Sequence, residues 1–165
     1  MRRFLFVVSI LALLLVVVAQ QGPAEDPPVI VDTPPDEELI FTPGDVAWQP
    51  GPGSFEEGSE FAILEGDPSG PGLFTLRIRM PDGFRISPHW HPGVERVTVL
   101  SGTFRMGHGE EFDPEATIPL GPGSYFSMPP EMTHFAVTEG ETEVQLSSIG
   151  PWMIHYVNPD DDPRE

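Results

Sequence analysis

From about residue 60 to residue 158 the chain is a series of ten short apolar runs, each ending at or beside a glycine or proline. They read FAILEGD, LFTLRIRMPDG, RISPHWHPG, ERVTVLSG, TFRMGHG, ATIPLGPG, SYFSMPP, THFAVTEG, EVQLSSIG and WMIHYVNP. Breakers recur so closely through these runs that they leave no room there for a helix of ordinary length. No window sustains a 3.6-residue period. Several runs alternate with period two instead, as Phe74, Leu76, Ile78 and Met80 do. Short strands at regular spacing, with turn residues between them, predict an all-β sandwich or barrel. No segment repeats another, so one domain over about 40–158 accounts for the pattern.

The N-terminal residues are of another kind. Arg2 and Arg3 precede an apolar run from Phe4 to Ala19. The run is slightly short for a membrane-spanning helix, which needs about 20 apolar residues. A basic start, an apolar middle and a small residue at Ala19 predict a signal peptide over 1–19, cleaved before Gln20. The alternative is an uncleaved anchor. Either places the domain outside the inner membrane, periplasmic or extracellular. Residues 20–39 are rich in proline and acid and read as a flexible tether, and 159–165 as a solvated acidic tail. The absence of cysteine excludes both a disulfide framework and lipid attachment through an N-terminal cysteine. The formal net charge is −18, with arginine as the only basic residue type. Such a chain repels phosphate, so neither nucleic acid nor an anionic membrane surface is expected as a partner.

Two of the five histidines stand one residue apart, with a glutamate four residues on, in GFRISPHWHPGVERVTVLSG. On a strand, residues two apart share a face, so His89 and His91 project together and Trp90 points away. Pro92-Gly93 turns the chain, and Glu95 opens the next strand on the face of Val97 and Val99. A narrow hairpin would then set Glu95 beside the two imidazoles. Imidazole nitrogens and a carboxylate are ligands for a divalent transition metal. The candidate fourth ligand is His134, just after the Pro129-Pro130 corner. His108, in MGHGEEFD, reads as a solvated loop residue, and His155 as a hydrogen-bonded residue of the last strand.

These stretches resemble the two motifs of the cupin superfamily. Gly83, His89, His91, Glu95 and Gly102 stand at the spacings of the first, and Gly123, Pro129 and His134 at those of the second. Glu131 stands where the second motif usually has glycine, and Thr138 where it usually has asparagine. The resemblance covers about 60–158. It implies a double-stranded β-helix, or jelly-roll, barrel with one divalent ion per chain (Fe, Mn, Cu, Ni or Zn) on His89, His91, Glu95 and His134. It also implies a homodimer.

Three imidazoles and one carboxylate leave positions open on a six-coordinate ion, which suits a catalytic site better than a structural one. A small barrel offers a mouth for one small ligand. Candidate lining residues are Phe104, Met106, Tyr125, Phe126 and Met128, their direction depending on strand phase. The first functional expectation is a dioxygenase-like or related metal-dependent enzyme of a small oxygen-donor molecule, with Glu131 as a candidate general base beside His134. The second is a non-catalytic module that binds or senses a metal or small ligand. Arg77 and Arg79 share a strand face and are read either as anchors for an anionic ligand or as solvent-facing partners of the acidic surface. Trp152, Ile154 and Tyr156 form an alternating apolar face, read as core rather than interface.

Overall fold

The computed structural model describes residues 38–164, so the leader over 1–19 and all but the last two residues of the tether over 20–39 lie outside the described residues. Nine strands follow in order: β1 (Gln49–Pro50), β2 (Glu60–Glu65), β3 (Gly72–Met80), β4 (Arg85–Trp90), β5 (Glu95–His108), β6 (Ile118–Leu120), β7 (Tyr125–Met128), β8 (His134–Gly150) and β9 (His155–Tyr156). Single 3₁₀ turns at Pro114–Ala116 and Pro159–Asp161 are the helical elements among the described residues. The fold is all-β, as alternation and punctuation imply, and a jelly roll, as the resemblance implies.

Every strand pair is antiparallel, and β8 organises them. Its second half pairs with β3, from Gly150 opposite Gly72 to Thr142 opposite Met80. Its first residues pair with β4. Along most of its length it also pairs with β5, which carries β6 and β7. One strand bonded to three others curls the sheet round a single core. That core takes alternate residues from each strand, among them Phe74, Leu76 and Met80 of β3, Val97 and Val99 of β5, and Val144 and Leu146 of β8.

Four runs that read as separate strands form two. ERVTVLSG and TFRMGHG are both β5, and THFAVTEG and EVQLSSIG are both β8. Gly102 (φ 71°) and Gly140 (φ 75°) are left-handed, a conformation that bends a strand without ending it. The register to β8 shifts around Gly102 and then resumes. A Cβ at 102 would collide with the Glu141 carbonyl and with Thr142. His108 is consequently the exposed last residue of β5, opposite His134, rather than a loop residue.

Strand phase settles the lining candidates. Met106, Met128 and Phe104 are buried and Phe126 packs against them, whereas Tyr125 is 61% exposed. Tyr125 and Phe126 are neighbours on β7, and a pleated strand cannot turn both inward. Arg77 and Arg79 point outward: Arg77 meets Glu143 and Gln145, and Arg79 meets Glu60, Glu143 and the Trp48 ring. Ile154 is buried, with Trp152 and Tyr156 packed against the core, as their alternation suggests.

The expected hairpin between the two motif halves does not form. β4 pairs with β8 and β9, while β5 pairs with β6, β7 and β8, so Glu95 and the first two histidines sit on strands not bonded to each other. Pro92-Gly93-Val94 acts as a crossover between sheet regions, not a tight turn. Proline cannot donate to a ladder, and the four residues 91–94 carry the chain from one region of the sheet to another.

Candidate metal centre

His89, at the end of β4, is paired in register with His134, the first residue of β8. His91 follows one residue beyond β4, and Glu95 opens β5. All four side chains are buried, between 3% and 7% exposed. One nitrogen from each of the three histidines lies within 4.8 Å of the others. The Glu95 carboxylate reaches both flanking rings, Oε1 at 3.7 Å from His91 Nε2 and Oε2 at 3.2 Å from His134 Nε2. The four residues expected to act together therefore do meet, although through β8 rather than a hairpin.

The Nδ1 side of each ring decides what the Nε2 side can do. His89 Nδ1 lies 2.7 Å from the Ser87 carbonyl, His91 Nδ1 2.8 Å from that of Met153, and His134 Nδ1 2.9 Å from that of Met132. A carbonyl oxygen only accepts, so each Nδ1 carries the proton and donates it. In the neutral ring Nε2 then holds a free lone pair. Three lone pairs converge on a carboxylate whose buried Oε2, 3.2 Å from His134 Nε2, has no donor while that ring is neutral. Left alone, such a group is costly. A divalent cation satisfies every one of these donors, so the residues fit the ion the motifs imply.

Burial first, then the neighbouring imidazoles, push the His89 pKa well below its usual range. Burial also lowers that of His91, against the pull of Glu95. For His134 burial works in the same direction, but the hydrogen bond and charge of Glu95 outweigh it and the pKa rises. Desolvation thus favours the neutral form of two rings, while Glu95 favours the charged form of the third.

Sequence reasoning missed the segment after β8. Trp152 stacks on His91 with ring centroids 4.1 Å apart and planes at 18°, and the next residue supplies the carbonyl for His91 Nδ1. That segment is docked by Trp152 N–H donating to the Pro68 carbonyl. The only hint was the aromatic alternation, which does not say which ring is touched. His155 stacks instead on Trp90, on the other face of β4, and neither it nor His108 joins the histidine group.

The two departures from the cupin motifs have local accounts. Glu131 has φ 63°, the one non-glycine left-handed residue described, and its N–H donates to the His91 carbonyl at 2.9 Å. The backbone there keeps the conformation that a glycine would supply. Its side chain is exposed and is not among the residues lining the cavity described next, so its contact with the site runs through the main chain. Thr138 is buried, and its hydroxyl accepts from Phe84 N–H and donates to the Pro81 carbonyl, tying down the turn that ends at Gly83.

The four ligand candidates sit in the wall of a cavity of about 380 Å³. Its other walls are mostly apolar, Leu76, Ile86, Val97, Phe104, Phe126 and Leu146 among them.

The sequence profile of the ChrR cupin-like domain matches residues 36–152. Germin-like protein subfamily T member 3 of Arabidopsis thaliana is 34% identical over 86 residues, covering 48% of this chain and 37% of that protein. Germin-like protein 4-1 of Oryza sativa subsp. japonica is 35% identical over 104 residues, covering 53% of this chain and 41% of that protein. The chain thus spans about two fifths of the length of these curated relatives. Among solved structures, the polyketide cyclase RemF of Streptomyces resistomycificus matches with TM-score 0.60 at 20% identity, covering 78% of this chain and 92% of its own. A candidate acetylacetone dioxygenase of Methylibium petroleiphilum PM1 matches with TM-score 0.58 at 22% identity, covering 81% and 90%. At such identities the structures speak for the fold. With the profile spanning well over half of the sequence and both histidine motifs meeting inside the barrel, the chain belongs to the ChrR cupin-like family of the cupin superfamily.

Proposed function

We propose that this protein is an exported cupin that holds one divalent transition ion on His89, His91, Glu95 and His134 and acts on a small oxygen-donor molecule in dioxygenase-like or related metal-dependent chemistry. The observation that carries this is the shared Nδ1–H to carbonyl arrangement of three converging histidines beside a buried carboxylate with an unsatisfied oxygen. A bound ion of this kind supplies Lewis-acid polarisation of an oxygen donor and, where it is redox-active, electrons. The chain's own contributions are geometric. The backbone carbonyls and Trp152 hold the rings, Glu95 offsets the ion's charge, and the apolar wall limits water at the site.

The test begins with elemental analysis of natively purified protein, where about one ion per chain is expected. His89→Ala with His91→Ala should abolish uptake while leaving the β-type circular dichroism, because the core stands without the metal. Oxygen uptake is then measured with Fe, Mn, Cu, Ni and Zn forms across small acids, phenols and diketones. Turnover lost in Glu95→Ala and His134→Ala supports the enzyme, whereas binding without turnover in every form leaves a storage or sensing module. Export is supported by the basic-apolar-small order of residues 1–19. Intact mass of protein from an exporting host should place the N-terminus near Gln20 or, as the second expectation, at Glu25, and a full-length species in the membrane fraction would instead identify an anchor. Homodimerisation belongs to the same reading and is checked by light scattering.

A further inference from the structure

The cavity wall says more about the ligand than the metal site does. Resting on the metal reading above, we propose that the cavity selects a small oxygen donor of a single negative charge carried on an apolar body, and rejects dianions and polyhydroxylated molecules.

Charge is the first argument. A divalent ion beside the Glu95 carboxylate leaves one net positive charge in a site where all four ligand residues are at most 7% exposed. One monoanionic oxygen, whether carboxylate, enolate or phenolate, brings that sum to zero. A second anionic group would leave an uncompensated charge inside an apolar wall, at a large desolvation cost. The surrounding protein, at net charge −18, adds further repulsion.

The second argument is the scarcity of polar partners. Apart from the ligand set, the polar residues in the lining are Ser54, Ser59, Asp67, Ser69 and Arg164. Three of these are engaged elsewhere. Asp67 accepts from the Ser69 N–H and hydroxyl. Arg164 donates to both oxygens of Asp162 and to the Ile154 carbonyl. Among the described residues, the Ser59 hydroxyl is buried with no hydrogen-bond partner and is the one buried polar point of the wall, beyond the ligand set, left open to a ligand. A ligand with several hydroxyls that left water for this cavity would lose most of its hydrogen bonds, and such losses discriminate strongly. An apolar body gains about fourfold in affinity for each methylene the walls bury.

The experiment uses the full chain loaded with Co(II), whose visible spectrum reports a ligand arriving beside the metal. Metal content is measured separately on the same sample. The probes share one carboxylate head: acetate, butyrate, hexanoate, 5,6-dihydroxyhexanoate and adipate. Affinity should rise at least tenfold from acetate to hexanoate. It should then fall at least tenfold from hexanoate to both 5,6-dihydroxyhexanoate and adipate. A flat series from acetate to hexanoate would overturn the proposal, as would adipate binding as tightly as hexanoate. Adipate binding that disappeared in Arg164→Gln would overturn it by showing a second anion site at the mouth. If the wild-type chain took up no cobalt, the metal reading itself would fail and this inference with it, and the metal assay separates that result from the others.

Discussion

At the residue scale the site is a problem of proton placement. A ring whose Nδ1–H is fixed by a carbonyl presents Nε2 at little reorganisation cost, and the stacked Trp152 keeps the His91 ring in that plane. Trp152→Ala should therefore leave stoichiometry at one ion while weakening affinity about 10–100-fold, the range known for residues that orient ligands, as read by competition with a chelator. The metal-free protein has its own signature. His89 and His91 resist protonation when folded, so below their ordinary value of 6.5 the unfolded chain binds more protons and stability falls with pH. His134 acts with the opposite sign. Its raised pKa gives stability that is present at low pH and lost as pH rises through the folded value, so it offsets part of the slope. Urea melts of apo protein between pH 7.5 and 5.5 should show a shallower acid-side loss in His89→Ala than in wild type. Equal slopes would mean that His89 is not neutral when folded. Glu131 offers a simpler check. A side chain at φ 63° costs about 1–2 kcal/mol, and glycine relieves it at some entropic cost, so Glu131→Gly should be neutral or stabilising by up to about 1 kcal/mol.

At the element scale, two glycine-bent strands matter most. β5 and β8 each continue through a left-handed glycine, which lets one strand serve both the metal end and the far end of the barrel. Gly102→Ala meets two obstacles, a left-handed φ and backbone in the way of its Cβ, and should cost about 2 kcal/mol or more in equilibrium unfolding. Gly123→Ala, also left-handed but with open space for its Cβ, should cost less. The comparison separates torsional strain from collision. Thr138 belongs at this scale too. Its hydroxyl accepts and donates where the cupin motif usually has asparagine, so Thr138→Val should destabilise by about 1 kcal/mol by removing two hydrogen bonds and leaving only the longer one from Phe84 N–H to the Pro81 carbonyl.

For the whole molecule, the core and the candidate metal site are separable. Buried aliphatic residues of β3, β5 and β8 pack without the histidines, so chelation should lower the melting temperature without abolishing the fold. The stabilisation should follow RT ln(1 + [M]/Kd), about 2.7 kcal/mol at a hundredfold excess of free ion over Kd. Calorimetry at several free zinc concentrations checks the logarithm. Loss of native circular dichroism on chelation alone would show that the metal builds the fold.

The sequence by itself determined the fold class and which four side chains meet at the candidate site. Period-two alternation and breaker density follow from local chemistry, and the spacing of His89, His91 and Glu95 survives whatever path the chain takes between them. It could not determine pairing. Whether β4 meets β5 or β8, which of Tyr125 and Phe126 turns inward, and whether TFRMGHG is a new strand or the rest of an old one depend on long-range register. Register is set by how all the strands bury their apolar faces at once. The carbonyls that fix the tautomers and the indole that holds His91 carry no motif, because a main-chain oxygen is the same in every residue and only the tertiary path brings it to a ring.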